Sequence, residues 1–179
     1  MNDLSIQARI TEAVSAEQFR NGMRNLAGAV NIITTAKGDH SAGLTATAVM
    51  SISAEPARVM VCINKDVYAH SLIEEGGCIC INTLSADQIE QAQVFAGMRK
   101  DIAAADRFNV GAWNHAADKA PVLEGALLNL ECKVSEIIPA SSHSMIICDV
   151  LDIHYCEQAD KSALIYFDCN FANLQPSIN

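Results

Sequence analysis

The strongest constraint on this chain is a series of strand-forming runs that no helix of crossover length regularly interleaves. VNIITTA (30–36), VMVCIN (59–64), CICINTL (78–84), ALLNLECKVSEII (126–138), SMIICDVLDIHYC (144–156) and ALIYF (163–167) are rich in β-branched and apolar residues. A doubly wound parallel sheet needs a helix between successive strands, so this order excludes it. It predicts a mainly β fold of six or seven antiparallel strands, closed or nearly closed into a barrel, with two or three short helices. VMVCIN reads as a nearly continuously buried strand, Pro56 ends the segment before it, and Lys37-Gly38-Asp39 reads as a hairpin turn.

Helix signals are few and local. Ser15-Ala16-Glu17-Gln18 has the form of a capping box, followed by Phe19, Met23, Leu26 and Val30 at helical spacing. Ser85-Ala86-Asp87-Gln88 repeats the signal and opens a helix to about Phe95, stopped by Gly97. A short helix is predicted over 69–75, ended by Gly76 and Gly77, and residues 98–122 read as a long loop with a helical turn.

Half of the 179 residues are apolar, which suits one domain over residues 1–179, with residues 1–15 loosely held. The net charge of −9 leaves no basic excess to displace counterions from phosphates, which excludes an extended nucleic-acid surface. An anionic ligand would need local donors and a few placed cations. No run approaches the roughly 20 apolar residues of a membrane span, and MNDLSIQARITEAV lacks the basic start of a signal peptide. Seven cysteines, without a C-x-x-C pair, read as reduced core thiols of a cytoplasmic protein.

Absent motifs remove further classes. The glycines form neither a dinucleotide fingerprint nor a P-loop, and there is no G-x-S-x-G. The histidines have no i, i+4 partner and no carboxylate or cysteine companion at ligand spacing, so no metal site is expected. What stands out is GLTATAVMSISAEP (43–56), where Thr45, Thr47, Ser51 and Ser53 recur at even spacing and would share a strand face. That face is either a solvent-exposed polar stripe or a row of ligand-binding hydroxyls among residues small enough to let backbone approach a planar ligand. Asn82 reads as a satisfied polar residue at a strand end, and Trp113 as a cover over apolar surface. Arg107 and Phe108 either pack the long loop or put a cation near an anionic ligand.

Seven segments in register, AVNIITT (29–35), GLTATAV (43–49), VMVCIN (59–64), CINTL (80–84), FAGM (95–98), PVLEGAL (121–127) and LIYF (164–167), resemble the short-chain flavin reductases over residues 17–171. Within that family the chain is most similar to the reductase components of 4-hydroxyphenylacetate 3-monooxygenases. The resemblance implies an FMN-binding split β-barrel that forms a homodimer, with FMN or FAD at the subunit interface and NADH or NADPH as hydride donor. It further implies release of reduced flavin to a separate flavin-dependent oxygenase acting on an aromatic substrate.

By the same resemblance Ser41, Ala42, Gly43, Leu44, Thr45, Ala46, Thr47 and Ala48 run along the flavin, with Thr45 and Thr47 as donors. Cys62, Ile63, Asn64, Tyr68, Ala69, Ser71, Val94 and Phe95 join that site, and His143 lies beside the nicotinamide. Ala163 and Tyr166 lie on the strand bordering the NADH site. The chain departs from the family's pattern at Ser141, where relatives often have Gly, at Ser142, where Asp or Thr precedes the His, and at Cys169, where many have Gly or a basic residue. Two rival uses keep the flavin: a split-barrel oxidase of the pyridoxamine-phosphate type, which calls for clustered cations around a substrate phosphate, and a carrier without turnover.

Overall fold

The computed structural model describes residues 13–157 and 161–175. The expectation for residues 1–15 therefore falls mostly outside the described residues; Ser15 itself caps a helix. Its hydroxyl accepts from the Gln18 N–H at 3.1 Å, and the Gln18 side chain accepts from the Ser15 N–H at 3.0 Å, so the predicted capping box forms in full and opens α1 (Ala16–Met23). The apolar face does not behave as its spacing suggests. Phe19, Met23 and Leu26 are exposed, and Val30 lies beyond the helix, fully buried.

A seven-stranded antiparallel sheet carries the fold, in the order β3 (His40–Ala46), β2 (Asn31–Lys37), β6 (Cys78–Thr83), β9 (Leu128–Ala140), β10 (His143–Tyr155), β5 (Ala57–Asn64), β4 (Val49–Ala54). Its two edge strands, β3 and β4, are consecutive in sequence and joined only by Thr47 and Ala48. Three Cα steps span at most about 11 Å, so the sheet curls until its edges come together. The even-spaced hydroxyl row is divided here: Thr45 lies on one edge strand, and Ser51 and Ser53 on the other. They do not share the single strand face that their spacing predicts.

Two cores flank the sheet. Ile33, Val61, Ile63, Ile81 and Ile146 fill the inside of the curl. On the other face, Val30, Ile32, Leu84, Phe95 and Leu164 pack beneath α3 (Ile89–Phe95), which continues a 3₁₀ turn at Ala86–Gln88. β2 is buried on both faces, as its unbroken apolar and threonine run requires. β5 alternates instead of being continuously buried: Val59, Val61 and Ile63 point inward, while Met60, Cys62 and Asn64 are half-buried on the outer face. The helix predicted over 69–75 is shorter, α2 (Tyr68–Leu72), because the chain turns extended at Ile73.

β1 (Gly28–Ala29), β11 (Ala163–Phe167) and β12 (Asn170–Leu174) form a small second sheet, and β7 (Trp113–Asn114) pairs with β8 (Val122–Leu123) in the long loop. The loop also contains a 3₁₀ segment, Ala104–Asn109. A buried polar hub pins it to the sheet. The Asn82 carbonyl oxygen accepts from the Leu123 N–H and the Asn129 amide, both at 2.8 Å, and its own amide donates to the Ile32 carbonyl at 2.9 Å. The Thr34 hydroxyl donates to the Pro121 carbonyl at 2.6 Å. Asn82 is thus a fully satisfied structural residue.

The two departures at Ser141 and Cys169 fall on left-handed backbone. Ser141 (φ 52°) opens the two-residue turn between β9 and β10; Asp168 (φ 46°) and Cys169 (φ 61°) form the one between β11 and β12. A side chain in this region costs roughly 1 kcal/mol or more relative to glycine. Cys169→Gly and Ser141→Gly should each raise unfolding stability by about 1 kcal/mol, visible as a higher denaturant midpoint at constant slope. A lower midpoint would show that these side chains hold their turns by contacts of their own.

Candidate functional site

An edge strand leaves one row of backbone N–H and C=O groups unpaired, and β3 is such an edge. Its side chains split by parity. Leu44 and Ala46 pack against the inner core and Ala42 is buried, while Gly43 and Thr45 turn toward α3. The Thr45 hydroxyl donates to the Ala92 carbonyl at 2.7 Å, so its proton is committed inside the fold and only its lone pairs remain for a ligand. Thr47 is exposed, and its hydroxyl makes no hydrogen bond among the described residues. Gly28 leaves room for it: a Cβ on Gly28 would lie 3.0 Å from the Thr47 Cβ.

Three cavities follow this edge. One of about 620 Å³ lies at its first half, between Ser41–Leu44, Tyr68, Ala69, Phe95 and Arg107. A smaller one of about 190 Å³ lies over Thr45, Ala46 and Thr47, walled by Met98, Tyr166 and Phe171. The third, about 840 Å³, opens at Thr47 and Ala48 and extends under α1 to Tyr166. The Ala48 carbonyl accepts from the Cys62 N–H at 3.0 Å, which sets β5 beside this end. Asn64, two residues along the same outer face as Cys62, pairs with His143 across the ladder. The imidazole Nδ1 of His143 lies 2.9 Å from the Ser142 hydroxyl.

The structure therefore gathers Ser41 to Ala48 with Tyr68, Ala69, Phe95 and Tyr166 around one line of cavities, and places Cys62, Asn64 and His143 in a neighbouring patch. Other candidate residues lie elsewhere. Ile63 and Val94 are enclosed in the two cores, so their side chains are closed to a ligand. The Ser71 hydroxyl donates to the Tyr68 carbonyl within α2, and Ala163 bridges to Ser85, away from the three cavities. Residues not proposed for the site from sequence also line them, notably Phe19 and Arg20 of α1 and its C-cap Arg24. An apolar helical face left exposed beside two arginines was the signal available for these.

The arginines divide by position. Arg58 is held by Asp149 at 2.7 Å, and Arg99 by Asp101 at 2.7 Å and Glu90 at 2.9 Å; this pairing holds the Asp101 carboxyl down at about 2. Arg20, Arg24 and Arg107, which line the two large cavities, make no ion pair among the described residues. Positive charge is thus left uncommitted where an anion would enter. Nucleophilic thiol chemistry does not fit the three most buried cysteines. Burial pushes the Cys132 thiol up to about 12 and raises Cys80 and Cys148 further, so none forms appreciable thiolate near neutrality.

His154 does have carboxylate companions, contrary to the spacing argument. Asp152 precedes it by two residues on β10 and Glu131 faces it from β9, with Nε2 3.1 Å from Glu131 and 3.5 Å from Asp152. Lys119 pairs with the other Glu131 oxygen at 3.1 Å, so this carboxylate is already shared between a lysine and the imidazole.

A model of the flavin reductase-like domain matches residues 23–175. The chain belongs to that family. It is 39% identical to the FMN reductase (NADH) RutF of Pseudomonas syringae pv. syringae (strain B728a), over 90% of this chain and 88% of that protein. It is 36% identical to the 4-hydroxyphenylacetate 3-monooxygenase reductase component of Pseudomonas aeruginosa, covering 89% and 92%. Among solved structures, flavin reductase PheA2 in its native state superposes with a TM-score of 0.79 at 28% identity, over 90% of this chain and 99% of that one.

In this flavin reductase-like chain Gly43 is required by packing. A Cβ there would lie 2.7 and 2.9 Å from two atoms of the Phe95 ring, which is itself held by Phe108 and Trp113 at centroid distances of 5.1 and 5.2 Å. Gly43→Ala should destabilise the fold by about 1 to 3 kcal/mol. It should also shift the emission of Trp113, the chain's single tryptophan. Unchanged stability and emission would show that the aromatic cluster moves freely.

Proposed function

We propose that the chain is an NADH-dependent flavin reductase, taking FMN or FAD and supplying reduced flavin to a separate flavin-dependent oxygenase. The observation that carries this reading is the unpaired β3 edge, followed along its length by cavities and flanked by uncommitted arginines. Arg107 suits the flavin phosphate at the Ser41–Leu44 end, and free N–H groups of the edge suit the carbonyl rim of the ring system near Thr47 and Ala48. Similarity to the Pseudomonas syringae FMN reductase (NADH) supports FMN and NADH; similarity to the Pseudomonas aeruginosa 4-hydroxyphenylacetate 3-monooxygenase reductase component supports service to an aromatic hydroxylase.

The reaction delivers hydride from C4 of NADH to N5 of the flavin, and a proton taken up from solvent completes the reduced flavin. The chain's own work is to align two planar rings within roughly 3 to 3.5 Å and keep water from between them. That task calls for hydroxyls, exposed backbone and an aromatic wall such as Tyr166. His143 is a helper that orients the carboxamide of the nicotinamide. Among the described residues the cations do not form the tight phosphate cluster expected of a pyridoxamine-phosphate type oxidase.

The same reading takes the curled sheet as a split barrel and a second copy as its partner. Met50, Ile52, Leu151, Ile153 and Tyr155 expose apolar surface on the strands at one side of the sheet, which suits a homodimer interface. Seven cysteines, none in a disulfide, suit a reducing cytoplasm. Among the described residues no helix is long and apolar enough to cross a membrane.

Mixing the protein anaerobically with excess FMN or FAD and NADH should bleach the flavin's visible absorption over many turnovers; binding without bleaching would leave a carrier. Two substitutions should separate the ligands. Thr47→Val should weaken flavin binding by about 1 to 2 kcal/mol, roughly five- to thirtyfold in Kd. His143→Ala should raise the KM for NADH with flavin affinity retained. The reverse pattern would exchange the two ligand positions.

A further inference from the structure

We infer that Arg20 and Arg24 of the N-terminal helix segment form a grip for the phosphates of the incoming nicotinamide dinucleotide, making α1 a part of the hydride donor's binding site. The inference rests on the reductase reading above and adds to it a site that the β3 edge does not supply. Arg20 lies in the last turn of α1 and Arg24 is its C-cap, so the two are four residues apart and lie on one side of the helix. Both line the 840 Å³ cavity that opens at Thr47 and Ala48, and neither is ion-paired among the described residues. Asp168 is the single carboxylate in that lining, giving it an excess of positive charge in a chain whose net charge is −9.

The rest of the lining matches the same kind of ligand. Phe19, Met23 and Leu26 give apolar surface that the fold leaves exposed, and Tyr166 borders this cavity and the smaller one over Thr45 and Thr47. A planar base beside a doubly charged pyrophosphate is the ligand chemistry that such a lining selects. Guanidinium forks bind phosphate oxygens in pairs, which a lysine cannot reproduce. The segment is also held in place: the Asp168 N–H donates to the Arg24 carbonyl at 2.9 Å, tying the helix end to the β11–β12 turn behind Tyr166. The simpler role for these arginines is to offset the helix dipole at its C-terminus. That role predicts a stability change and no change in ligand affinity.

The test compares wild type with Arg20→Gln/Arg24→Gln and with Lys100→Gln/Lys133→Gln, a control of equal charge change on the exposed surface. The arginine variant should raise the KM for NADH at least tenfold with kcat within about twofold, keep its Kd for FMN and FAD, and lose tight NADH binding measured by nucleotide fluorescence. It should react like wild type with 1-benzyl-1,4-dihydronicotinamide, a hydride donor without phosphate, and the lysine variant should match wild type with both donors. Unchanged NADH affinity, an equal loss in the lysine variant, or a loss of flavin affinity in step with the NADH effect would overturn the grip. Wild type that binds NADH through these arginines yet never reduces flavin would instead overturn the reductase reading and leave the grip standing.

Discussion

Two residues, Thr47 and Ala48, connect opposite edges of a seven-stranded sheet, and most of the molecule's functional geometry follows from that short link. A sheet whose first and last strands are sequence neighbours has to curl. The curl encloses one core, leaves β3 with an open hydrogen-bonding edge, and draws Cys62 of β5 against the Ala48 carbonyl. The open edge therefore meets the wall formed by Tyr166, and the outer face carrying Cys62, Asn64 and His143 forms a neighbouring patch joined to it at Ala48. The edge, the Cys62 and Asn64 pair, His143 and Tyr166 lie far from one another in sequence.

What keeps the edge available is packing on its far side. α3 covers the outer core and fixes β3 through the Thr45 to Ala92 hydrogen bond and through Phe95 seated on Gly43. Phe95 is in turn fixed by Phe108 and Trp113 from the long loop, and that loop is pinned to the sheet through Asn82 and Thr34. A buried amide that satisfies both a loop N–H and a neighbouring asparagine can specify a position for a segment with little regular structure of its own. The residue that looked least functional thus supports the cavity floor at one remove.

The features legible in the sequence are those decided within a few residues. Ser15 and Gln18 announce a helix start because the hydrogen bonds that make it are three residues apart; the six strand runs are equally local. Strands such as β1 and β7, two residues each, have no periodicity to read and exist because distant partners, Tyr166 and Leu123, lie beside them. The transfer of the chain from one edge to the other at Thr47 is invisible for the same reason. Alternation in GLTATAVMSISAEP continues in composition while the backbone changes strands, so Thr45 and Thr47 look equivalent and are not. One has its proton bound to α3 and the other faces the cavities.

The distribution of charge resolves an apparent conflict in an acidic protein that handles polyanions. Long-range attraction is unavailable at a net charge of −9, and exposed charges are screened beyond about 8 to 10 Å at ordinary ionic strength. What matters is which cations remain uncommitted at short range. Arg58 and Arg99 are neutralised by neighbouring carboxylates, so their positive charge adds little to the local field, and the chain's acidic excess keeps the general surface unattractive to nucleic acid. Among the described residues Arg20, Arg24 and Arg107 make no ion pair and stand beside apolar and aromatic walls, an arrangement that suits a phosphate joined to a planar ring system. On the proposed reading, selectivity for a small aromatic phosphate over other polyanions would come from placing these guanidinium groups where a flat ring can also be covered.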